Sequence, residues 1–340
     1  MIHDLLFYTV LHQPLWIWLM FGGIVCAILF LDLGILEKKA QEISAKNSVL
    51  LFSAYAGIAC LFGLWIYWYF GASMASEFFT GYIVEMGLSI DNVFVISLVF
   101  SYLAIPRHLQ HRVLFWGILG AAVLRGFMFV IGAEILDKYD RVLLIFAVFL
   151  IYSGLKMLFS QEPAINLSDS RMVRFFRHYL RVTNELHEEH FFVRLPSTTD
   201  PSKMKWYATP LLLALLLIEF GDALFAIDSV PAMFAVSHET FALYSSDMFA
   251  VLGLRALYFL LSAAIHRFSY LQPACAVLLV LIGVKVFVGE FFFKVDDRIS
   301  LAITFILLFG GVLLSLVESV KREEELEQKL QAQQHDKSSP

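Results

Sequence analysis

Charge is what this sequence has least of. Only 16% of its 340 residues are Asp, Glu, Lys or Arg, against about 25% in an average soluble chain. That shortage, with a mean hydropathy of +0.73, excludes a soluble enzyme, a nucleic-acid binder and a disordered chain. Cysteine is almost as scarce. Cys26, Cys60 and Cys275 stand singly in apolar runs. They form no disulfide framework and no C-x-x-C metal clip, and they read as small core hydrophobes. No A-x-A site follows the first apolar run, which carries Asp32 near its end, so that run reads as a retained span rather than a cleaved signal peptide. Nothing suggests a lipid anchor.

What the chain has in excess is apolar and aromatic surface. Hydrophobic residues make up 59% of it, including 33 Phe, 13 Tyr and 6 Trp, a load suited to lipid contact and interfacial belts. A bilayer core needs about 20 mostly apolar residues per helix. Nine segments qualify: 14–36, 49–70, 77–103, 112–135, 141–159, 209–237, 247–265, 271–293 and 300–318. With the N-terminus outside, the inner connections hold 17 Lys and Arg and the outer ones 4. This asymmetry predicts an outside N-terminus and a cytoplasmic C-terminus. The expected fold is therefore an all-α polytopic membrane protein. The sizeable soluble piece, 160–208, contains the basic amphipathic RMVRFFRHYLRV, which reads as a helix lying on anionic lipid. Residues 319–340 read as a charged cytoplasmic tail.

Two segments resemble each other. EMGLSIDNV runs from Glu85 to Val93 and DALFAIDSV from Asp222 to Val230, aligning Asp91 with Asp228 across 137 positions. Downstream, AAVLRG at Arg125 matches VLGLRA at Arg255, and SGLKMLF at Lys156 matches IGVKVFV at Lys285. Each unit holds three spans, and the second enters the membrane from the opposite side. The organisation expected is two helices over 1–76, a three-helix repeat over 77–159, the cytoplasmic loop 160–208, an inverted three-helix repeat over 209–293, and a ninth span over 294–318. Inverted repeats belong to secondary transporters whose site lies at mid-bilayer.

Glu85, Asp91, Glu219, Asp222 and Asp228 fall in the middle third of their spans. Each central charge costs about 2.5–3.5 kcal/mol on insertion scales. Internal salt bridging would neutralise some of them, but Lys156 and Lys285 lie near span ends and can snorkel outward. Two arginines then face five acids, a balance suited to a divalent cation plus a titrating proton. The expected metal ligands are Glu85, Asp91, Asn92, Glu219, Asp222 and Asp228. Arg125, Arg255, Ser89 and Ser229 would surround them and balance charge. On a regular helix residues six apart are rotated by about 120°, so Glu85 and Asp91 could share an ion only if the helices break. Gly87, Gly221 and Pro231 are the expected break points. Oxygen ligands without nearby His or Cys suit Mg²⁺, Ca²⁺ or Mn²⁺. NELHEEHFF, with His187 and His190, matches no zinc-hydrolase signature and reads as a solvated loop.

These motifs, with FLDLGIL, VTNELHEEHFFVR, ATPLLLALLLIEFGDALFAIDSVPAMFAV and FAVLGLRALYFLL, resemble the TerC family of bacterial integral membrane proteins, in particular its Alx branch. The resemblance covers most of the chain. It implies a relation to the LysE-type transporter superfamily, export of Mn²⁺ across the cytoplasmic membrane, and older associations with tellurite resistance and alkaline pH. It carries the site roles onto Glu85, Asp91, Asn92, Glu219, Asp222 and Asp228. Asp247 stands where the family usually shows Asn; it reads as lying at the outer end of the seventh helix, at an exit mouth or as a cap.

The expectation is thus a non-enzymatic exporter of divalent cations in the inner membrane, possible proton coupling included. Mn²⁺ would be its substrate, with no tightly bound cofactor and no nucleic-acid partner. The alternatives are a proton or monovalent-cation antiporter and a non-transporting stress-resistance scaffold. Oligomeric state is left open.

Overall fold

The computed structural model describes residues 8–36, 45–139, 141–159, 171–183, 185–187, 189–196, 204–237, 239–261, 270–293, 295, 299–315 and 317–318. Within its helices the side chains of 32–36, 45, 46, Asp91, Asp137, Arg171, Met172, His178, Asp228, Leu271 and Gln272 lie outside the description. The tail over 319–340 lies wholly outside it.

A two-residue hairpin, β1 (Thr9–Val10) with β2 (Gln13–Pro14), leads into α1 (Leu15–Leu36) and α2 (Ala45–Phe70). Next come α3 (Ala72–Tyr102), α4 (Arg107–Lys138) and α5 (Val142–Phe159). The middle segment forms α6 (Arg171–Leu180) and an antiparallel hairpin of β3 (Phe192–Pro196) with β4 (Met204–Ala208). Then follow α7 (Pro210–Val236), α8 (Thr240–Leu261), α9 (Leu271–Phe291) and the shorter apolar helix α10 (Ile299–Ser315). Seven of the described helices, α2–α5 and α7–α9, are long and apolar enough to cross a bilayer. The apolar helices at 15–31 and 299–315 are shorter.

The expected spans match helices closely except one. The seventh was expected from 247, with 238–246 as a connection, because ETFALYSSD looks too polar for lipid. Instead α8 begins at Thr240. It has the lowest mean hydropathy of the seven, 1.2, yet 83% of its apolar window is buried. A helix surrounded by protein needs no lipid-compatible face, and small polar residues let neighbours approach closely. α3 packs on one side of α8, with α2 and α4 around it. Aromatics from α1 and α2 complete that side: Phe21 and Phe62 meet Phe241 and Phe249.

The helices α3–α5 pack mainly on α7–α9 rather than on one another: α3 on α8, α4 on α7, and α5 on α9. The α5–α9 crossing is reciprocal. A Cβ added at Gly154 would lie 2.6 Å from the Ala276 carbonyl oxygen and 2.8 Å from Val280. One added at Gly283 would lie 2.7 Å from the Ala147 carbonyl oxygen and 2.7 Å from Ile151. Only glycine permits such an approach, and small residues are how helices associate in lipid, where the hydrophobic effect does not drive them together.

α3 and α7 are continuous helices, so the breaks expected at Gly87, Gly221 and Pro231 are absent. Gly87 lies against Leu308 of α10, and its carbonyl accepts from Cys275 Sγ at 3.3 Å. Pro231 sits inside α7 without ending it. Its missing N–H removes one i−4 bond, which membrane helices tolerate because neighbours re-satisfy the backbone.

Candidate cation site

The site begins with helical spacing. On α3, Glu85, Ser89 and Asn92 stand at i, i+4 and i+7, one face of the helix. On α7, Glu219, Asp222 and Ser229 stand at i, i+3 and i+10. On α4, Gly117, Gly120 and Arg125 run down the side that meets α7, and on α8 Asp247 and Arg255 are eight apart. Four continuous helices each contribute one face. This is why no break is required: Asp91 need not share a face with Glu85.

Arg125 holds the centre. It is fully buried, and its guanidinium reaches carboxylates from three other helices. Nη2 donates to Asp222 Oδ1 at 2.8 Å and Nε to Asp222 Oδ2 at 3.2 Å, a two-pronged grip. Nη1 donates to Asp247 Oδ1 at 2.5 Å and also to Glu85 Oε1. Asn92 Nδ2 donates to Asp222 Oδ1 at 3.2 Å. The planar fork of arginine suits this role, since lysine is a compact charge without paired donors.

Beside the cluster lies a cavity of about 20 Å³ between α3, α4, α7 and α8, room for about one water-sized occupant. Its polar walls are Asn92, Glu219, Asp222 and Arg255. Glu219 reaches it over Gly120, whose Cα the carboxylate overlies so closely that any Cβ would collide with it. From the other side, Ser73, Ser76, Glu77, Thr80 and Gly81 continue the Glu85 face of α3 toward its N-terminal end. They pass from exposed at Ser73 to buried at Thr80. Gly81 faces Ser246 of α8, and Ser237 Oγ donates to Glu77 Oε2 at 2.5 Å.

Of the expected ligands, Glu85, Asn92, Asp222 and Glu219 converge here. Asp91 and Asp228 lie on α3 and α7, but their side chains are outside the described residues. Arg125 was expected to balance the acids' charge, and it pairs directly with Glu85 and Asp222. One expectation needs correcting. Asp247 is neither a cap nor part of an exit mouth, because α8 starts seven residues earlier and buries it against Arg125. Among the described residues no group of three His, Cys, Asp or Glu side chains is arranged to hold a metal ion by itself; three acids converge, but on a guanidinium.

Several buried oxygens of the site have no hydrogen-bond partner among the described residues: Glu85 Oε2, Asp247 Oδ2, Asn92 Oδ1 and Glu219 Oε1, with the Ser89 and Ser229 hydroxyls. Ionised carboxylate and amide oxygens only accept, so a cation, a water or another donor group would suit them. Cluster and cavity together hold four carboxylates and two arginines, a formal charge of −2.

In the middle segment, expected to be a solvated loop, Arg112 of α4 pairs with Glu189 at 2.7 Å and lies over the Phe191 ring. Thr209, just before α7, donates through Oγ1 to the His190 carbonyl at 2.7 Å. The loop is thus tied to the ends of the two helices that carry Arg125, Glu219 and Asp222.

A model of the integral membrane protein TerC family matches residues 70–325. An uncharacterized membrane protein of Rickettsia bellii is 39% identical over 300 residues, covering 88% of this chain and 97% of that one. The Alx protein of Salmonella typhi, whose name proposes a membrane-bound redox modulator, is 37% identical over 326 residues, covering 93% and 98%. Its Escherichia coli counterpart is 37% identical over 310 residues, covering 88% and 93%. No solved structure matches. With the match spanning every helix that builds the arginine–carboxylate cluster, the chain belongs to the TerC family of integral membrane proteins.

Proposed function

We propose that this chain is a secondary transporter that exports a divalent cation, Mn²⁺ by the family resemblance, from the cytoplasm through the Arg125 cluster. The observation that carries the reading is the set of buried acceptor oxygens without partners among the described residues, in a cluster and adjoining cavity of formal charge −2. Hard oxygen donors fit Mn²⁺, with Ca²⁺ and Mg²⁺ as chemical neighbours. Glu85, Asp222, Asp247, Glu219 and Asn92 would hold the ion. Protons compete for the same oxygens, which makes exchange of metal for protons the natural coupling. The cavity on one side and the polar stripe of α3 on the other supply approach and exit.

The architecture that serves this is a nine-span chain, α1–α5 and α7–α10, in the inner membrane with its N-terminus outside. Its core is an inverted 3+3 repeat. Reciprocal glycines at the α5–α9 crossing and the exchange of partners between α3·α8 and α4·α7 support that symmetry.

Proteoliposomes containing the full chain test the reading. Loaded with Mn²⁺, Ca²⁺ or Mg²⁺, they should release Mn²⁺, and Asp222→Asn should slow release by about tenfold or more, the usual cost of disturbing a metal site. Movement of sodium, potassium or protons with no divalent flux would replace the reading with the antiporter alternative.

A further inference from the structure

We propose that Arg125 is a resident stand-in for the transported cation: the cargo must take Glu85, Asp222 and Asp247 from the guanidinium, which recovers them when the cargo leaves. The proposal rests on the transport reading above and adds the step by which an unloaded carrier completes its cycle.

Three features of the cluster carry it. First, Arg125 stands where a cation would be expected, at the convergence of acids from α3, α7 and α8, while itself projecting from α4. One side chain therefore ties together four helices drawn from both halves of the core. Second, its grip is uneven. Asp222 receives two donors on two oxygens, whereas Glu85 and Asp247 share the single nitrogen Nη1. Each of those two keeps a second buried oxygen without a partner among the described residues. A divalent ion arriving through the cavity meets Asn92, Glu219 and Asp222 at its wall, and from there competes for these lone pairs. It then carries twice the charge of the guanidinium with which it competes. Third, arginine cannot be deprotonated in a protein, so this internal cation is present at every pH.

The physical need is plain. Three carboxylates stripped of their counter-ion in a low-dielectric interior would repel one another and resist any rearrangement that carries them across the bilayer. A tethered cation removes that obstacle without leaving the protein. Simple structural glue would make the opposite prediction about affinity. Glue holds ligands in place, so removing it weakens cargo binding; a competitor blocks them, so removing it strengthens binding.

The experiment uses the full chain and Arg125→Gln and Arg125→Lys variants, with Mn²⁺ as the probe. Mn²⁺ binding is measured by calorimetry on purified protein. Net Mn²⁺ efflux and exchange of radiolabelled Mn²⁺ against Mn²⁺ on both sides are measured in proteoliposomes. Arg125→Gln should bind Mn²⁺ about tenfold more tightly and lose net efflux about tenfold, while exchange stays within about twofold of the parent; tenfold corresponds to about 1.4 kcal/mol. Exchange survives because the loaded carrier never needs the stand-in. Arg125→Lys keeps the charge with a poorer grip, so its affinity and net efflux should fall between those of the parent and Arg125→Gln. Weaker Mn²⁺ binding by a monodisperse Arg125→Gln protein, or equal loss of efflux and exchange, overturns the proposal. If Arg125→Gln does not fold, Arg125→Lys decides: tighter binding with exchange retained supports the proposal, and unchanged or weaker binding overturns it. A parent protein that moves no divalent cation defeats the transport reading itself, a result distinct from any of these.

Discussion

Gly154 and Gly283 face each other's helices so closely that one methyl group becomes a test of the α5–α9 crossing. In Gly154→Ala the new Cβ would stand 2.6 Å from the Ala276 carbonyl oxygen, and in Gly283→Ala 2.7 Å from that of Ala147. Ordinary van der Waals contact begins near 3.4 Å. Both obstacles are backbone atoms and cannot rotate aside, so the helices must separate locally by about 0.7–0.8 Å, which forfeits dispersion contacts along the crossing. Overpacking of this kind costs about 1–3 kcal/mol. Alanine's better helix propensity returns up to about 1 kcal/mol, leaving each variant destabilised by about 1–2 kcal/mol. Because one separation relieves both clashes, the double variant should cost little more than either single, whereas independent sites would add. The assay is unfolding in mixed micelles, comparing midpoints of parent, singles and double. Full additivity, or two neutral singles, would refute the close reciprocal packing.

Two further outcomes are expected. Gly120→Ala places a Cβ where the Glu219 carboxylate lies; the variant should insert normally yet transport Mn²⁺ about tenfold more slowly, as when the support of a metal ligand is removed, and an unchanged rate would remove Glu219 from the site. A reporter fused to the C-terminus should be active only in the form that works in the cytoplasm; activity restricted to the periplasmic form would reverse the orientation and undo the inverted relation of the two halves.

Much of this protein can be read from its residues because lipid is a strict solvent. Backbone polar groups in hydrocarbon must bond within their own segment, so a long apolar run is a helix almost by necessity, and α2 to α5, α7 and α9 lie close to where composition puts them. Central acids stand out against such a background for the same reason. Glu85, Asp222, Arg125 and Arg255 are legible as a set from the repeated motifs alone.

Burial by protein rather than lipid is what composition conceals. The start of α8 is too polar to face lipid, and Asp247 reads as a surface residue only for a helix in lipid, whereas protein buries most of α8. Which acid meets which base depends on how four helices cross, and crossing is set by surfaces about a hundred residues or more apart in combination: Gly120 beneath Glu219, Gly154 against Ala276, α3 laid along α8. Periodicity assigns a face to each side chain but not the neighbour across from it. The arginine at the centre of three carboxylates arises from that convergence, and no local pattern in AAVLRG announces it.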